Sequence, residues 1–229
     1  MNKWIAAIGI SFAILAGCAK SLNQNESEPS ADPLTIKPDL MALPDGGTWT
    51  GSIDKASLVE KDGKAAIEIN EVGVNLIWLD GFEFTEGEIE FDAKGKSEPA
   101  QNGFVGIAFW VENEVVHDAV YFRPFNFRAE DARRKLHAVQ YISSPLWPWQ
   151  RLREEFPGKY EKPIEPAPDG DEWFHARIVV KDGQIKVFVN GADEPSLAVA
   201  SLNDKGIGSV GLWCYGYGVI ANLEITPSK

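Results

Sequence analysis

The chain has 229 residues, enough for one domain with an N-terminal extension or for two very small domains. A hydrophobic fraction of 44%, 21 glycines, 14 prolines and 11% aromatic residues favour a globular β-sheet domain over a helix bundle. The net charge of −12 excludes nucleic acid and anionic membrane surfaces from the expected partners, and two cysteines are too few for a disulfide framework or a Cys-rich metal site.

The first 17 residues have the pattern of a secretory signal peptide, with a short basic start and an uncharged, largely apolar run at 4–16 that is short for a membrane span. Residues 15–18, Leu-Ala-Gly-Cys, resemble the bacterial lipobox. This resemblance implies cleavage before Cys18 and a lipid on Cys18 as the only contact with the bilayer. Because Ala19 follows, it also implies the outer membrane of the cell envelope. The alternative is a cysteine buried in a hydrophobic helix. We predict a signal peptide at 1–17, a lipidated cysteine and flexible polar tether at 18–44, and one domain at 45–229.

The predicted domain consists of short strands joined by turns. Residues 87–93 alternate strictly, with apolar side chains on one face and three carboxylates on the other, which is typical of a half-buried strand. The apolar run 104–111 predicts a strand covered on both faces, and Asp182-Gly183 between two alternating runs predicts a hairpin. Further strands are predicted at 65–69, 72–79, 115–122, 136–142, 173–181, 184–190, 209–215 and 219–225, with a short helix at 129–136 and a Pro-rich insertion at 143–170. This pattern predicts an all-β fold, a jelly-roll sandwich of two antiparallel sheets.

Several of these segments resemble the concanavalin A-like (laminin-G-like) jelly rolls. The segments are Glu172–Val180, the Asp182-Gly183 turn, Ile185–Asn190 and Gly208–Trp213, and Gly87–Asp92 with Gly103–Trp110 looks like the central strand pair of that fold. The similarity extends over most of residues 47–226. Within the fold, the chain looks most like bacterial secreted domains of the 3-keto-disaccharide hydrolase type, which often occur in lipoproteins. Such folds include glycan binders, glucanases and domains without known activity, so the resemblance implies a fold and leaves the chemistry open.

The candidate ligand-binding residues combine aromatic rings with hydrogen-bonding groups. Alternation places Tyr121 and Arg123 on the outward face of one strand, and His137 and Tyr141 are expected on the same concave floor if the next strand is its neighbour. Aromatic rings can stack on the apolar faces of sugars; the alternative for the two tryptophans of the Pro-rich insertion is that they cap the edge of the sandwich. The predicted ligand-binding set is Tyr121, Arg123, Asn126, His137, Gln140, Tyr141, Trp147, Trp149, Arg151 and Trp213, with Tyr215 as a further stacking candidate.

The catalytic candidates are three carboxylates and one histidine. Glu88 and Glu90 project from one strand face, as acid–base glycosidase chemistry requires, although a solvated acidic face is the simpler interpretation. His117 and Asp118 form the second pair, but adjacent strand residues point to opposite faces. No metal site or cofactor is expected. Calcium is retained as an alternative because loop Asp and Asn side chains can bind it, although the acidic turn 169–172 lacks the EF-hand pattern.

Together these observations predict an envelope lipoprotein whose jelly-roll domain binds a carbohydrate ligand on its concave sheet through aromatic stacking and Arg, His and Tyr hydrogen bonds. The first alternative is a glycoside hydrolase or lyase of the 3-keto-disaccharide hydrolase type. The second is a non-catalytic structural domain of the envelope.

Overall fold

The computed structural model describes residues 34–45, 47–98 and 103–228. Cys18, the predicted signal peptide and most of the predicted tether lie outside these ranges. The described residues form β1 (Trp49–Gly51), β2 (Ala56–Lys61), β3 (Lys64–Leu79), β4 (Gly87–Lys94), β5 (Gly103–Val111), β6 (His117–Phe122), β7 (Val139–Ser144), β8 (Glu161–Lys162), β9 (Phe174–Lys181), β10 (Gln184–Val189), β11 (Leu197–Ala200) and β12 (Ser209–Pro227). The helices are α1 (Pro124–Phe127), α2 (Ala132–Lys135) and α3 (Trp149–Glu155), with 3-10 turns at Leu40–Asp45 and Ile53–Lys55. No helix in the described ranges is long and apolar enough to span a membrane.

Two long strands, β3 and β12, pass from one sheet of the sandwich into the other. Residues 209–216 of β12 pair with β5, whereas residues 219–227 pair with β4, and β3 runs antiparallel beside both parts. The front sheet therefore has the order β1-β3-β12-β5-β6-β7-β8, and the back sheet has the order β2-β3-β12-β4-β9-β10-β11. The register of β3 and β12 shifts at Gly216, where φ is 69°, a conformation that glycine adopts without strain.

The core lies between the inner faces of the two sheets. Phe91 of the back sheet and Phe122 of the front sheet approach to 6.3 Å between ring centroids, and Phe174 meets Phe122 edge-on at 5.0 Å. All three rings are buried, and full burial of such a side chain contributes about 1.5–3 kcal/mol. The predicted all-β jelly-roll sandwich of antiparallel sheets is confirmed.

Several local predictions agree with the structure. In β4 burial alternates at every residue, with Ile89 and Phe91 inside. Asp182 and Gly183 connect β9 and β10 with φ values of 50° and 67°, as the two-residue hairpin turn requires. The strand pairs predicted at 65–69 with 72–79, and at 209–215 with 219–225, are wrong as separate strands. Each pair is one continuous strand: β3 continues through Asn70 and Glu71, and β12 continues through Gly216 and Gly218, with a register shift at Gly216 in place of a turn.

The domain begins earlier than predicted. Ile36 forms a two-bond bridge with Ile225 of β12, with N···O distances of 2.7 and 2.8 Å. Leu40 and Leu43 lie on the 3-10 turn and are buried in the core, Leu43 completely. The prediction that the flexible tether extends to residue 44 is therefore wrong. Two leucines spaced three apart present one apolar face on such a turn.

Candidate functional site

The outer face of the front sheet carries a cleft of about 620 Å³. Side chains of β5, β6, β7 and β12 form its floor, and Pro148, Trp149 and Gln150 at the start of α3 form one wall. Alternation explains the floor, because Phe122 points into the core and Tyr121 must then point outward. The cleft is more enclosed than a flat sheet face because the Pro-rich insertion folds back over β7, where Ser143 and Trp147 exchange two backbone hydrogen bonds.

Stacked aromatic rings line this floor. Trp213 and Tyr121 flank Gly106 in the sheet register, and their rings stack at 4.5 Å with an interplanar angle of 15°. Phe104 stacks on Tyr121 at 5.7 Å and on Tyr215 at 5.4 Å. Tyr121 and Trp213 are only 1% and 4% exposed.

Three aromatic rings remain accessible to a ligand. Phe104, Tyr215 and Trp149 are half-buried, and all three line the cleft. A planar ring with one free face can stack on an apolar face of another molecule. Tyr121 and Trp213 therefore form the base of the floor, whereas these three rings provide its contact surface.

A buried polar network lies beside the floor. The Arg123 guanidinium donates to the His137 carbonyl at 3.0 Å, to the Tyr121 hydroxyl at 3.1 Å and to Gln140 Oε1 at 3.4 Å. Gln140 in turn donates to the backbone carbonyls of Tyr141 and Tyr160. Arg123 and Gln140 were predicted to contact ligand, but both are buried and their polar groups are engaged within the protein. Burial raises the pKa of Tyr121 to about 12, so its hydroxyl stays neutral.

One buried carboxylate joins this network to the wall of the cleft. Glu161 on β8 accepts hydrogen bonds from Arg153 Nε at 2.8 Å and Nη2 at 2.6 Å, a bidentate pair. Its Oε2 also lies 2.7 Å from His137 Nδ1 and 3.9 Å from Arg123 Nη1. Burial lowers the pKa of His137, and the neighbouring arginines lower it further, against the attraction of Glu161. The Arg153 guanidinium lies over the ring of Trp149, 4.7 Å from its centroid.

Two polar atoms at the cleft lack a partner within the described residues, His117 Nδ1 and Trp213 Nε1. Both residues are more than nine-tenths buried, and an unpaired buried polar atom costs about 1–3 kcal/mol. Burial lowers the pKa of His117 to about 4, so the imidazole is neutral at neutral pH. Glu114 supplies the cleft lining's carboxylate, and Ser144 and Gln150 supply further polar groups.

Tyr141 and Asp118 face the core instead of the cleft. The Tyr141 hydroxyl donates to Asp118 Oδ2, and Asn203 Nδ2 donates to Asp118 Oδ1 at 3.0 Å. Burial raises the pKa of Asp118 to about 6. The expectation that Tyr141 lines the floor is wrong because its neighbour Gln140 occupies the outward position opposite Tyr121. Asp118 and His117 also point to opposite faces, so they do not act together on one ligand.

Four further predicted ligand residues, Asn126, His137, Trp147 and Arg151, lie outside the cleft lining. Asn126 donates to the His137 carbonyl at 3.3 Å and accepts from Arg134, which makes it a brace for the loop after β6. Trp147 packs on Phe156 at 5.9 Å, with the Arg151 guanidinium over its ring at 3.8 Å. Trp147 therefore caps the edge of the sandwich, which was the alternative given for the two tryptophans of the Pro-rich insertion. Trp149, in contrast, lines the cleft.

The carboxylates of β4 lie on the outer face of the back sheet. Glu88 pairs with Arg177 at 3.1 Å, and His175 lies 3.0 Å from both Glu90 and Asp92. Because Phe91 points from the same strand into the core, these carboxylates point away from the front sheet. Glu88 and Glu90 therefore cannot act on a ligand bound in the aromatic cleft.

No group of three or more His, Cys, Asp or Glu side chains within the described ranges is arranged to hold a metal ion. In the acidic turn, Asp169 pairs with Arg128 at 2.8 Å and accepts from the amide of Asp171, so its oxygens are already engaged. Cys214 is buried, and burial raises the pKa of its thiol to about 12, which keeps it protonated and unreactive.

Sequence reasoning missed seven residues of the cleft lining, Val74, Phe104, Glu114, Ile142, Ser144, Pro148 and Gln150. Phe104 lies in an apolar run that was interpreted as buried on both faces. Gly106 is two residues further along the same strand and therefore on the same face, and its missing side chain was a usable signal that large rings pack there. Gly106 lies in register between Trp213 and Tyr121, and because it has no side chain the two large rings can stack on each other across it. Glu114 lies in the loop between β5 and β6, and Gln150 is the second residue of α3, so no periodicity indicates their direction.

No family model matches the sequence, and no curated protein matches it. The chain is similar to the exoplasmic/lumenal domain of VIP36 in its Ca²⁺/Man3GlcNAc-bound form, with a TM-score of 0.56, 12% identity and coverage of 85% of this chain and 88% of that one. It is similar to the carbohydrate binding module CBM66 from Bacillus subtilis, with a TM-score of 0.51, 13% identity and coverage of 80% and 98%. A native glycosidic hydrolase aligns with a TM-score of 0.51, 11% identity and coverage of 86% and 96%. The fold is thus that of the concanavalin A-like jelly rolls.

Proposed function

We propose that this domain binds a neutral carbohydrate in the cleft on the outer face of its front sheet. The observation that carries the proposal is the lining itself, in which the half-buried rings of Phe104, Trp149 and Tyr215 lie beside the accessible polar side chains of Glu114, Ser144 and Gln150. Sugars offer the matching surface, with apolar C–H faces for the rings and hydroxyl groups for the polar side chains. The similar folds of the VIP36 domain and of CBM66, whose names refer to a bound glycan and to carbohydrate binding, are consistent with this proposal.

The expected ligand is neutral because, among the residues that the structure describes, the cleft and its immediate surroundings offer no cation that is free to pair with an anion. The Arg153 guanidinium is paired with Glu161, and Arg123 is buried with its donors engaged by protein acceptors. Glu114 adds negative charge at the opening. An acidic sugar would therefore meet repulsion without a compensating partner.

Binding without hydrolysis is the function favoured by the described residues. A glycosidase that uses two carboxylates needs them about 5–9.5 Å apart across the scissile bond. Glu114 is the carboxylate in the described lining, and Glu88 and Glu90 face the other side of the sandwich. The alternative of a hydrolase or lyase of the 3-keto-disaccharide hydrolase type is tested by looking for products in the same experiment.

Calorimetric titration with neutral oligosaccharides, such as cellohexaose, laminarihexaose and maltohexaose, tests the proposal. We expect binding to at least one of them without release of shorter products, and a loss of about tenfold or more in affinity for Trp149→Ala, since one stacking ring contributes about 0.5–1.5 kcal/mol beyond its buried area. Trp147→Ala is the matched control because Trp147 is outside the cleft lining. Equal affinities of the two variants would contradict the assignment of the cleft, and time-dependent product formation would favour the enzyme.

We further propose that the domain is attached to the bacterial envelope through a lipid on Cys18. The resemblance of residues 15–18 to the lipobox and the polar composition of residues 19–32 support this. Mass spectrometry of the mature protein tests it. A lipid-modified N-terminal Cys18, recovered with outer-membrane fractions and lost in Cys18→Ala, is the expected result, and an unmodified cysteine within an uncleaved chain would contradict it.

A further inference from the structure

Two arginines of α3 each lie over a tryptophan ring, Arg153 over Trp149 at the start of the helix and Arg151 over Trp147 just before it. The Arg153 guanidinium lies 4.7 Å from the ring centroid of Trp149, which lines the cleft. The Arg151 guanidinium lies 3.8 Å from the ring centroid of Trp147, which does not. Both stacks are cation–π contacts with the same chemistry.

The two arginines are held by carboxylates in different environments. Arg151 pairs with Glu155 one turn along α3, and both side chains of this pair are more than two-fifths exposed. Arg153 is held in two places by Glu161, whose side chain is only 3% exposed and which belongs to β8. An exposed pair of this kind contributes little, whereas a bidentate pair with a buried carboxylate fixes the guanidinium plane, although the Arg153 side chain is itself 34% exposed.

We propose that Arg153 is a positioning residue that, clamped by Glu161, holds the indole ring of Trp149 in the orientation that receives the ligand. The proposal rests on the proposed function and extends it from the rings that touch the sugar to the ion pair behind them. Neither Arg153 nor Glu161 lines the cleft, so each acts through Trp149. A ring held in place before binding loses less rotational freedom when the ligand arrives.

The ring orientation is measured without any ligand by fluorine NMR of protein labelled with 5-fluorotryptophan. Trp149→Phe and Trp147→Phe identify the two resonances by their disappearance. We expect Arg153→Gln and the milder Glu161→Gln to shift or broaden the Trp149 resonance while the Trp147 resonance stays unchanged. Arg151→Gln, the matched control, moves the Trp147 resonance alone. A Trp149 resonance that is unchanged in both Arg153→Gln and Glu161→Gln would overturn the proposal.

Affinity provides the second readout, measured with whichever of the three hexasaccharides binds the wild type. Arg153→Gln is expected to weaken binding by about threefold to tenfold, the range that corresponds to immobilising one side chain, and Arg151→Gln to leave it unchanged. In a Trp149→Ala background, Arg153→Gln should have no additional effect, because its action passes through the ring. An undiminished effect in that background would overturn the proposal. Absence of wild-type binding to all three would count against the proposed function, and the fluorine spectra would still decide the role of Arg153.

Discussion

The adjacent residues His117 and Asp118 are expected to make opposite contributions to the pH dependence of the free energy of unfolding, so that the two contributions cancel. Burial lowers the pKa of His117 from 6.5 to about 4 and raises that of Asp118 from 3.8 to about 6. Between pH 4.5 and 6 the unfolded chain therefore binds a proton at the histidine, and the folded protein binds one at the aspartate. Both states carry one proton on this pair, so the pair contributes almost no slope to the free energy of unfolding.

When either group is removed by substitution, the pH dependence that the other group contributes to the free energy of unfolding becomes measurable. The lowered pKa of His117 contributes stability that is present above pH 6.5 and is lost as the pH falls through 4. The raised pKa of Asp118 contributes stability that is present below pH 3.8 and is lost as the pH rises through 6. One proton of difference changes the free energy of unfolding by about 1.4 kcal/mol per pH unit, which amounts to about 1.5 kcal/mol between pH 6 and 4.5 after partial titration.

Urea unfolding followed by tryptophan fluorescence at several pH values from 4.5 to 6 measures these slopes. Relative to the wild type, Asp118→Asn should lose about 1.5 kcal/mol on acidification across this range, and His117→Gln should gain about 1.5 kcal/mol. Comparing slopes removes any constant cost of the substitutions themselves. Variant profiles that run parallel to the wild type, or slopes of the opposite sign, would refute the argument that burial controls both groups.

Four substitutions test the fold by the same unfolding assay. Gly106→Ala should cost about 1–3 kcal/mol and disturb the stacked floor, because the added Cβ would collide with the backbone carbonyl oxygen of Val120. Leu43→Ala should cost about 2–5 kcal/mol because Leu43 is buried, and Leu34→Ala should cost less than about 0.5 kcal/mol because Leu34 is 78% exposed. Equal costs would contradict the inclusion of residues before 45 in the domain. Gly183→Ala should cost about 1–2 kcal/mol because φ is 67° there, and an unchanged stability would argue against the hairpin turn.

Local periodicity was sufficient to predict the parts of the fold that depend on neighbouring residues. The alternation in β4 and the Asp182-Gly183 turn are properties of a few consecutive side chains, and the structure has both as predicted. Glycine alone does not distinguish a turn from an irregularity inside a strand. For this reason a break was predicted between residues 215 and 219, around Gly216 and Gly218, where β12 in fact continues.

The floor of the cleft was harder to predict because the outer face of the front sheet is itself largely covered. On β7, the outward residues Gln140 and Ile142 are as hidden from solvent as the inward residue Tyr141. Hydrophobicity then fails to indicate which set faces the core, and Tyr141 was assigned to the wrong side. Trp147 and Trp149 lie two residues apart in an irregular segment, so the start of α3 decides which one reaches the cleft, and no local pattern fixes that start.

The central claim is that a neutral glycan occupies the aromatic cleft of the front sheet, and aromatic NMR spectra recorded during a titration with the hexasaccharides test it most directly. The account predicts that the ring resonances of Phe104, Trp149 and Tyr215 shift together with saturating ligand, while those of Phe188 on the back sheet and of Trp147 at the cap remain in place. Shifts confined to the back sheet, or spectra that none of the neutral hexasaccharides changes, would contradict it.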